Sequence, residues 1–290
     1  MNKMSFFLVL FGAILWGTTG TAQHFAPEGA HPIAVGTMRL AVGGSALFII
    51  VLFTKRIKPT KWPVKAMLIA AVAMAAYQPL FFSAVATTGV AIGTVIAIGS
   101  APILTGFMEW LIYRRRPDRQ WWLATALSII GCILLFVTQG DIKLDPIGFV
   151  MAIGAGLSFS AYTLVNKQIV QKVSSEMAVA VVFILSAILL SPLLFIYDVS
   201  WVFEPSGMIV VLQLGFVATA IAYLLFVRGL MGVPASSAVT LSLAEPLTAA
   251  ILGVVVVGEV LTPLAVVGVC MIFLGLTVLF YTPKKNRHVL

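Results

Sequence analysis

The chain has 290 residues, 61% of them hydrophobic and only 10% charged, with a formal charge of +8. An ordinary globular domain carries roughly 25% charged residues, and a mean hydropathy of +1.09 excludes a soluble protein of the usual kind. The positive charge does not mark a nucleic-acid binder, because Lys and Arg fall in short clusters between apolar runs, where they report membrane topology.

About 20 consecutive apolar residues cross a bilayer as a helix, and ten such runs follow one another here. The first, 5–24, opens as "MNKMSFFLVLFGAILWGTTGTA". It has the charge and apolar core of a signal peptide but no small-residue cleavage site, and is read as a span. It holds Trp16 near its middle. The second, 32–53, carries Arg39 seven residues from its start, about 10 Å along a helix at 1.5 Å per residue. That depth leaves three roles open: the outer interface, the mouth of a cavity, or pairing with an acid. The third span, 64–86, contains Tyr77, Gln78 and Phe81, and the short "TTGV" separates it from the fourth.

The fourth span, 91–113, contains Ser100, Pro102 and, near its inner end, Glu109, which can snorkel or pair with the arginines that follow. The fifth and sixth, 121–138 and 147–166, hold Cys132 and then Ser158, Ser160 and Tyr162. The seventh is 177–197, and the eighth, 207–230, contains Tyr223. The ninth, 235–257, includes "SLAEPLTA", where Glu245 stands directly before Pro246. The tenth, 263–281, holds Cys270. Neither cysteine has metal-ligand spacing, and both read as small buried hydrophobes.

Orientation follows from the cationic residues. With the N-terminus inside, sixteen of the eighteen Lys and Arg residues face the cytoplasm, in groups such as Lys55–Lys65, Arg114–Arg119 and Lys284–Arg287. Only Lys143 falls in an outer loop, and Arg39 lies within a span. Both termini are expected in the cytoplasm, with Glu28, Asp141, Asp145, Asp198, Glu204 and Glu259 outside.

The spans divide into two halves. Pro102 in "SAPILTG" and Pro246 in "AEPLTAA" are 144 positions apart, and "GCILLFVT" at 131–138 matches "GLTVLFYT" at 275–282 at the same offset. Five spans per half is an odd number, so the second half enters the membrane from the opposite side. Inverted repeats of this build place a substrate site near the midplane, between the halves. The expected fold is thus an all-α polytopic membrane protein, ten transmembrane helices in a 5+5 inverted repeat around a central cavity. The halves are 1–140 and 141–290.

Four stretches carry a family resemblance: "AILWGTTGTAQ", "GTMRLAVGGSALFI", "YQPLFFSAVATTGVAIGTVIAIGSAP" and "LAEPLTAAILGVVVVGEVLTPLAVVGVCMIFLG". Together they resemble the EamA type of the drug/metabolite transporter superfamily, over the whole chain and in two copies. Within it the chain is most similar to YddG-type bacterial amino-acid exporters. The resemblance implies a carrier in the bacterial inner membrane. One departure is that Glu259 corresponds to Arg115 in the first half.

Ionisable residues at membrane depth usually face a cavity or a partner. Glu245 lies about eleven residues into its span, roughly 16 Å, too deep to snorkel. Pro246 lacks an N–H and leaves carbonyls near residues 242–243 without their usual donors. Ser236, Ser237, Thr240 and Ser242 are candidate partners, or cavity water is. Pro102 is expected to kink the fourth span in the same way. The candidate cavity set is therefore Trp16, Tyr77, Gln78, Phe81, Ser100, Ser158, Tyr162, Tyr223, Ser242 and Glu245. For Trp16 and Tyr223, core packing is an equal alternative.

No catalytic or metal-binding constellation competes. All three histidines, His24, His31 and His288, lie outside or at the ends of spans, and every aspartate is in a loop. No His–Asp or Ser–His pair stands at depth for hydrolysis, and no phosphate-cradling G-x-x-x-x-G-K motif appears. Neither cofactor nor nucleic acid is expected, only a small-molecule substrate and the lipid bilayer. A receptor or scaffold would want longer loops or a soluble domain. The sequence points to a secondary transporter exporting a small neutral or zwitterionic solute, amino acids foremost, by alternating access. Another drug or metabolite is the alternative. A monomer, and proton coupling through Glu245 as against facilitated diffusion, stay open.

Overall fold

The computed structural model describes residues 2–53, 62–114, 116–136 and 145–281. The topology markers Lys55, Arg56, Lys58, Lys61, Lys143, Lys284, Lys285 and Arg287 lie outside them, as do Asp141, Arg115 and the ends of the two repeat matches, 137–138 and 282.

In a hydrocarbon solvent every backbone polar group must find its partner inside the protein, which leaves a chain of this composition the helix. Among the described residues, ten helices are long and apolar enough to cross a membrane. They are α1 Lys3–His24, α2 Pro32–Phe53, α3 Val64–Thr88, α4 Val90–Tyr113 and α5 Arg119–Phe136. The second half supplies α6 Pro146–Ile169, α7 Ser175–Phe195, α8 Pro205–Gly229, α9 Ala235–Val257 and α10 Pro263–Phe280. Each agrees with its expected span to within a few residues. Large apolar side chains such as Phe107, Phe149, Ile209 and Phe273 remain exposed on the outside of the bundle. In water such a surface would aggregate; against lipid it is solvated.

Local chemistry sets the helix ends. Asp145, followed by Pro146, accepts from the N–H groups of Ile147 and Gly148 at 3.2 and 3.3 Å. Thr262, followed by Pro263, accepts from Ala265 N–H at 3.2 Å. This is the usual pairing of an oxygen-bearing N-cap with proline in the first turn. The tight α3–α4 connection is a single residue, Gly89, at φ 86°, a left-handed value that glycine adopts without strain.

Three helices depart from regularity, α7 by ending in a 3-10 turn, Ser191–Phe195. α8 contains a π-helical stretch, Gln213–Ile221, and α9 ends in another, Gly253–Val257. α9 is also interrupted at residues 242–243, between Ala235–Leu241 and Ala244–Leu252. Pro246 cannot donate to the Ser242 carbonyl, which instead accepts the Glu245 N–H at 2.9 Å. The hydroxyls expected to serve the break act elsewhere, Ser242 on the Val239 carbonyl and Thr240 on that of Ser236.

Pro102 sits in a segment that differs from its counterpart around Pro246. α4 is continuous α-helix through it. Around it, Ser100 donates to the Ala97 carbonyl at 3.2 Å, and Thr105 and Ser160 both donate to the Ala101 carbonyl, at 2.7 and 3.0 Å. These hydroxyls serve the Ala97 and Ala101 carbonyls, not that of Ile98, the acceptor the missing N–H would have met.

The helices pair in a pattern that survives renumbering by five. α3 packs on α6 and α8 on α1; α4 packs on α6 and α9 on α1; α3 packs on α7 and α8 on α2. The pairs α5–α10, α2–α7 and α4–α9 map onto themselves. The correspondence reaches single residues. A Cβ on Gly131 would lie 2.6 Å from the Gly268 carbonyl oxygen, and one on Gly275 would lie 2.7 Å from that of Ala124. The two contacts exchange under the same 144-residue offset that relates the prolines.

Candidate functional site

A cavity of about 380 Å³ opens between the halves. Its walls come from the C-terminal halves of α1 and α3, the N-terminal halves of α2 and α4 and the middle of α9, with Phe136 of α5, Phe159 of α6 and Tyr223 of α8. It reaches the surface at the exposed Gly20 and Pro32, near the α1–α2 connection. Ten crossings return the chain to its starting side, and the Phe6 and Phe280 rings meet at 5.1 Å there. The cavity therefore opens on the side opposite the termini.

Trp16, Arg39, Tyr77, Gln78, Phe81, Tyr223, Ser242, Glu245 and Pro246 all line it. Ser100, Ser158, Tyr162 and Pro102 do not. Ser100 faces α6 at Gly156, and Ser158 is partly buried away from the opening. Tyr162 is wholly buried one layer behind, its ring 5.8 Å from Tyr223 and 6.1 Å from Phe183. Phe82, Val85, Phe136 and Phe159 are lining residues that sequence reasoning missed.

The break in α9 builds the site. It turns Ser242, Glu245 and Pro246 into the opening, and Gly17 lets α1 approach, since a Cβ there would lie 2.8 Å from the Glu245 carbonyl oxygen. Glu245 is partly exposed to the cavity. Arg39 is buried on a neighbouring helix and lines the same cavity as Glu245 and Tyr223. Of the roles left open for Arg39, the cavity position is the one it occupies. Trp16 and Tyr223 combine both of theirs: their rings pack at 4.6 Å and also face the opening.

Toward the termini the bundle is shut. Glu109 accepts from the N–H groups of Ala235 and Ser236, at 3.1 and 2.9 Å, and from the Ser236 hydroxyl at 2.6 Å. It thus caps the start of α9. Lys167 stands 3.8 Å from the same carboxylate and donates to the Val233 carbonyl at 2.6 Å. Arg228 and Glu176 form a second ion pair at this end, and Asn2 N–H donates to the Gly232 carbonyl at 3.2 Å. Cys132 is buried as expected, whereas Cys270 is exposed on the outer face of α10, a correction to its reading as core. Its face of the helix carries no partner among the described residues.

A bundle of membrane helices holding a largely apolar cavity with a few polar groups, open at one end and closed at the other among the described residues, has the architecture of a carrier. The chain belongs to the EamA-like transporter family, which matches residues 3–137 and 146–281. It is similar to the "uncharacterized transporter YwfM" of Bacillus subtilis (strain 168), 50% identical over 279 residues, 96% of this chain and 94% of that one. It also resembles the "uncharacterized transporter YdfC" of the same organism, 24% identical over 159 residues, about half of each chain (54% and 52%). A solved crystal structure shares the fold at a TM-score of 0.85 and 18% identity, covering 96% of both chains. The protein is a multi-pass membrane transporter.

Proposed function

We propose that this transporter exports small neutral or zwitterionic solutes, amino acids foremost, across the bacterial plasma membrane by alternating access. The observation that carries this reading is the cavity itself. Its lining holds one cationic and one anionic side chain, Arg39 and Glu245, among aromatic and small apolar groups. That balance suits a solute with little net charge and disfavours polyanions, which would want several Lys or Arg. The halves, 1–140 and 141–290, are read as inverted repeats, supported by the renumbering symmetry of the helix pairs and by five spans per half. The termini are placed in the cytoplasm on the bias of Lys and Arg, so the state described is open to the outside.

Glu245 is the candidate for proton coupling, being the carboxylate that the cavity exposes. The test of the reading is counterflow of labelled amino acids with the purified protein in liposomes. Saturable exchange of at least one amino acid supports it. Failure of every amino acid while another metabolite exchanges would move the substrate elsewhere in the family. Conductance at channel rates would end the carrier reading.

A further inference from the structure

Three polar atoms bordering the cavity are buried without a hydrogen-bond partner among the described residues: Trp16 Nε1, Arg39 Nε and Gln78 Oε1. A buried donor or acceptor left unmade costs more than a made bond returns, so each needs an explanation. Two are donors and one is an acceptor. Gln78 is wholly buried, its amide nitrogen meeting only the Met74 sulfur at 4.0 Å. Its carbonyl points toward α2 at Gly36, where a Cβ would lie 2.7 Å from Oε1.

Trp16 and Gln78 border the same cavity as the two charged side chains. Arg39 adds its guanidinium to the donors, and Glu245 adds its carboxylate to the acceptors. A solute with a single charge would satisfy one and leave the other facing a low-dielectric wall uncompensated, which is costly. A solute carrying both charges satisfies both. Beyond the polar groups, Phe81, Phe82, Val85, Ile98, Phe136 and Ala249 make an apolar recess in the same cavity.

We propose that the cavity holds the two ends of a zwitterion at separate poles: the Arg39 guanidinium and Trp16 indole N–H take the carboxylate, and the Glu245 carboxylate takes the ammonium. The side chain lies in the apolar recess. This assignment rests on the amino-acid reading and adds to it which residue reads which end. Arg39 is suited to its pole because its planar fork matches a carboxylate in two bonds, which a lysine cannot do.

The experiment compares phenylalanine, phenethylamine and N-acetylphenylalanine as competitors of labelled phenylalanine counterflow in liposomes. The wild-type protein is expected to prefer phenylalanine by about tenfold or more over either analogue, as for loss of a charge-assisted bond. Arg39→Gln is expected to erase the preference over phenethylamine while keeping that over N-acetylphenylalanine, and Glu245→Gln to do the reverse. Arg39→Lys, which keeps the charge, should lose the preference in part and serves if Arg39→Gln fails to fold. Folded Arg39 variants that keep the full wild-type preference over phenethylamine overturn the assignment. Wild-type protein that exchanges amino acids but competes equally with both analogues overturns it too. Wild-type protein that exchanges no amino acid overturns instead the reading on which it rests.

Discussion

The Glu109 carboxylate, on α4, holds both the N–H and the hydroxyl of Ser236, on α9, at 2.9 and 2.6 Å. One residue of the first half thereby caps a helix of the second, at the sealed end of the bundle. Capping and charge lie in one place, because Lys167 stands beside the same carboxylate. Opening the terminus-facing side must pull these groups apart.

Glu109→Gln should therefore act on stability and conformation together. Loss of the cap is expected to cost about 1–2 kcal/mol, read as earlier thermal unfolding in detergent. Transport should not be abolished, because Glu109 is remote from the cavity lining. An unchanged unfolding midpoint would show that the cap does not hold the closed end.

Glu245→Gln bears on coupling. If a proton taken up by this carboxylate drives export, wild-type transport depends on the pH difference across the membrane, and the glutamine protein should transport at a rate independent of it. The titratable groups that share the cavity lining with Glu245 are Arg39, Tyr77 and Tyr223. Counterflow, which needs no driving force, should persist in the variant with altered substrate preference. An unchanged dependence on the pH difference would remove Glu245 from the coupling.

The crossing of α5 and α10 gives a test of the internal symmetry. Gly131→Ala and Gly275→Ala each force a methyl group toward a backbone carbonyl that cannot retreat, at 2.6 and 2.7 Å. Each is expected to destabilise the protein by about 1–3 kcal/mol, and by similar amounts. Gly20→Ala, with nothing within 4 Å of the added atom, should be neutral or slightly stabilising. Thermal unfolding of the three single variants decides it, and a Gly131→Ala protein as stable as Gly20→Ala would contradict the packing described.

The spans were legible because an apolar run of membrane length has few alternatives, and the Glu245–Pro246 break was legible because a charge and a helix-breaker have no cheap place in lipid. Which face of a helix meets the cavity was much less so. α4 and α6 are apolar nearly all round, so nothing in their periodicity told Ser100, Ser158 and Tyr162, which lie outside the lining, from Ala97 and Phe159, which lie within it. The partners of Glu109 were hidden for another reason. They are 126 and 127 residues away in the chain, and a capping interaction between distant helices leaves no local signature. The π-helical stretch Gln213–Ile221 likewise followed from no breaker residue.

Alternating access is the central claim, and the depth of the cavity offers its most direct test. A single cysteine at position 242, in a protein with Cys132 and Cys270 replaced by alanine, reports which side of the membrane reaches the site. With a membrane-impermeant thiol reagent and oriented vesicles, labelling is expected from the side opposite the termini in the wild-type background. Glu109→Gln, which weakens the seal, should make the same cysteine reactive from the terminal side as well. Labelling at equal rates from both sides, unmoved by Glu109→Gln, would describe a pore with no closed end, and would contradict the account.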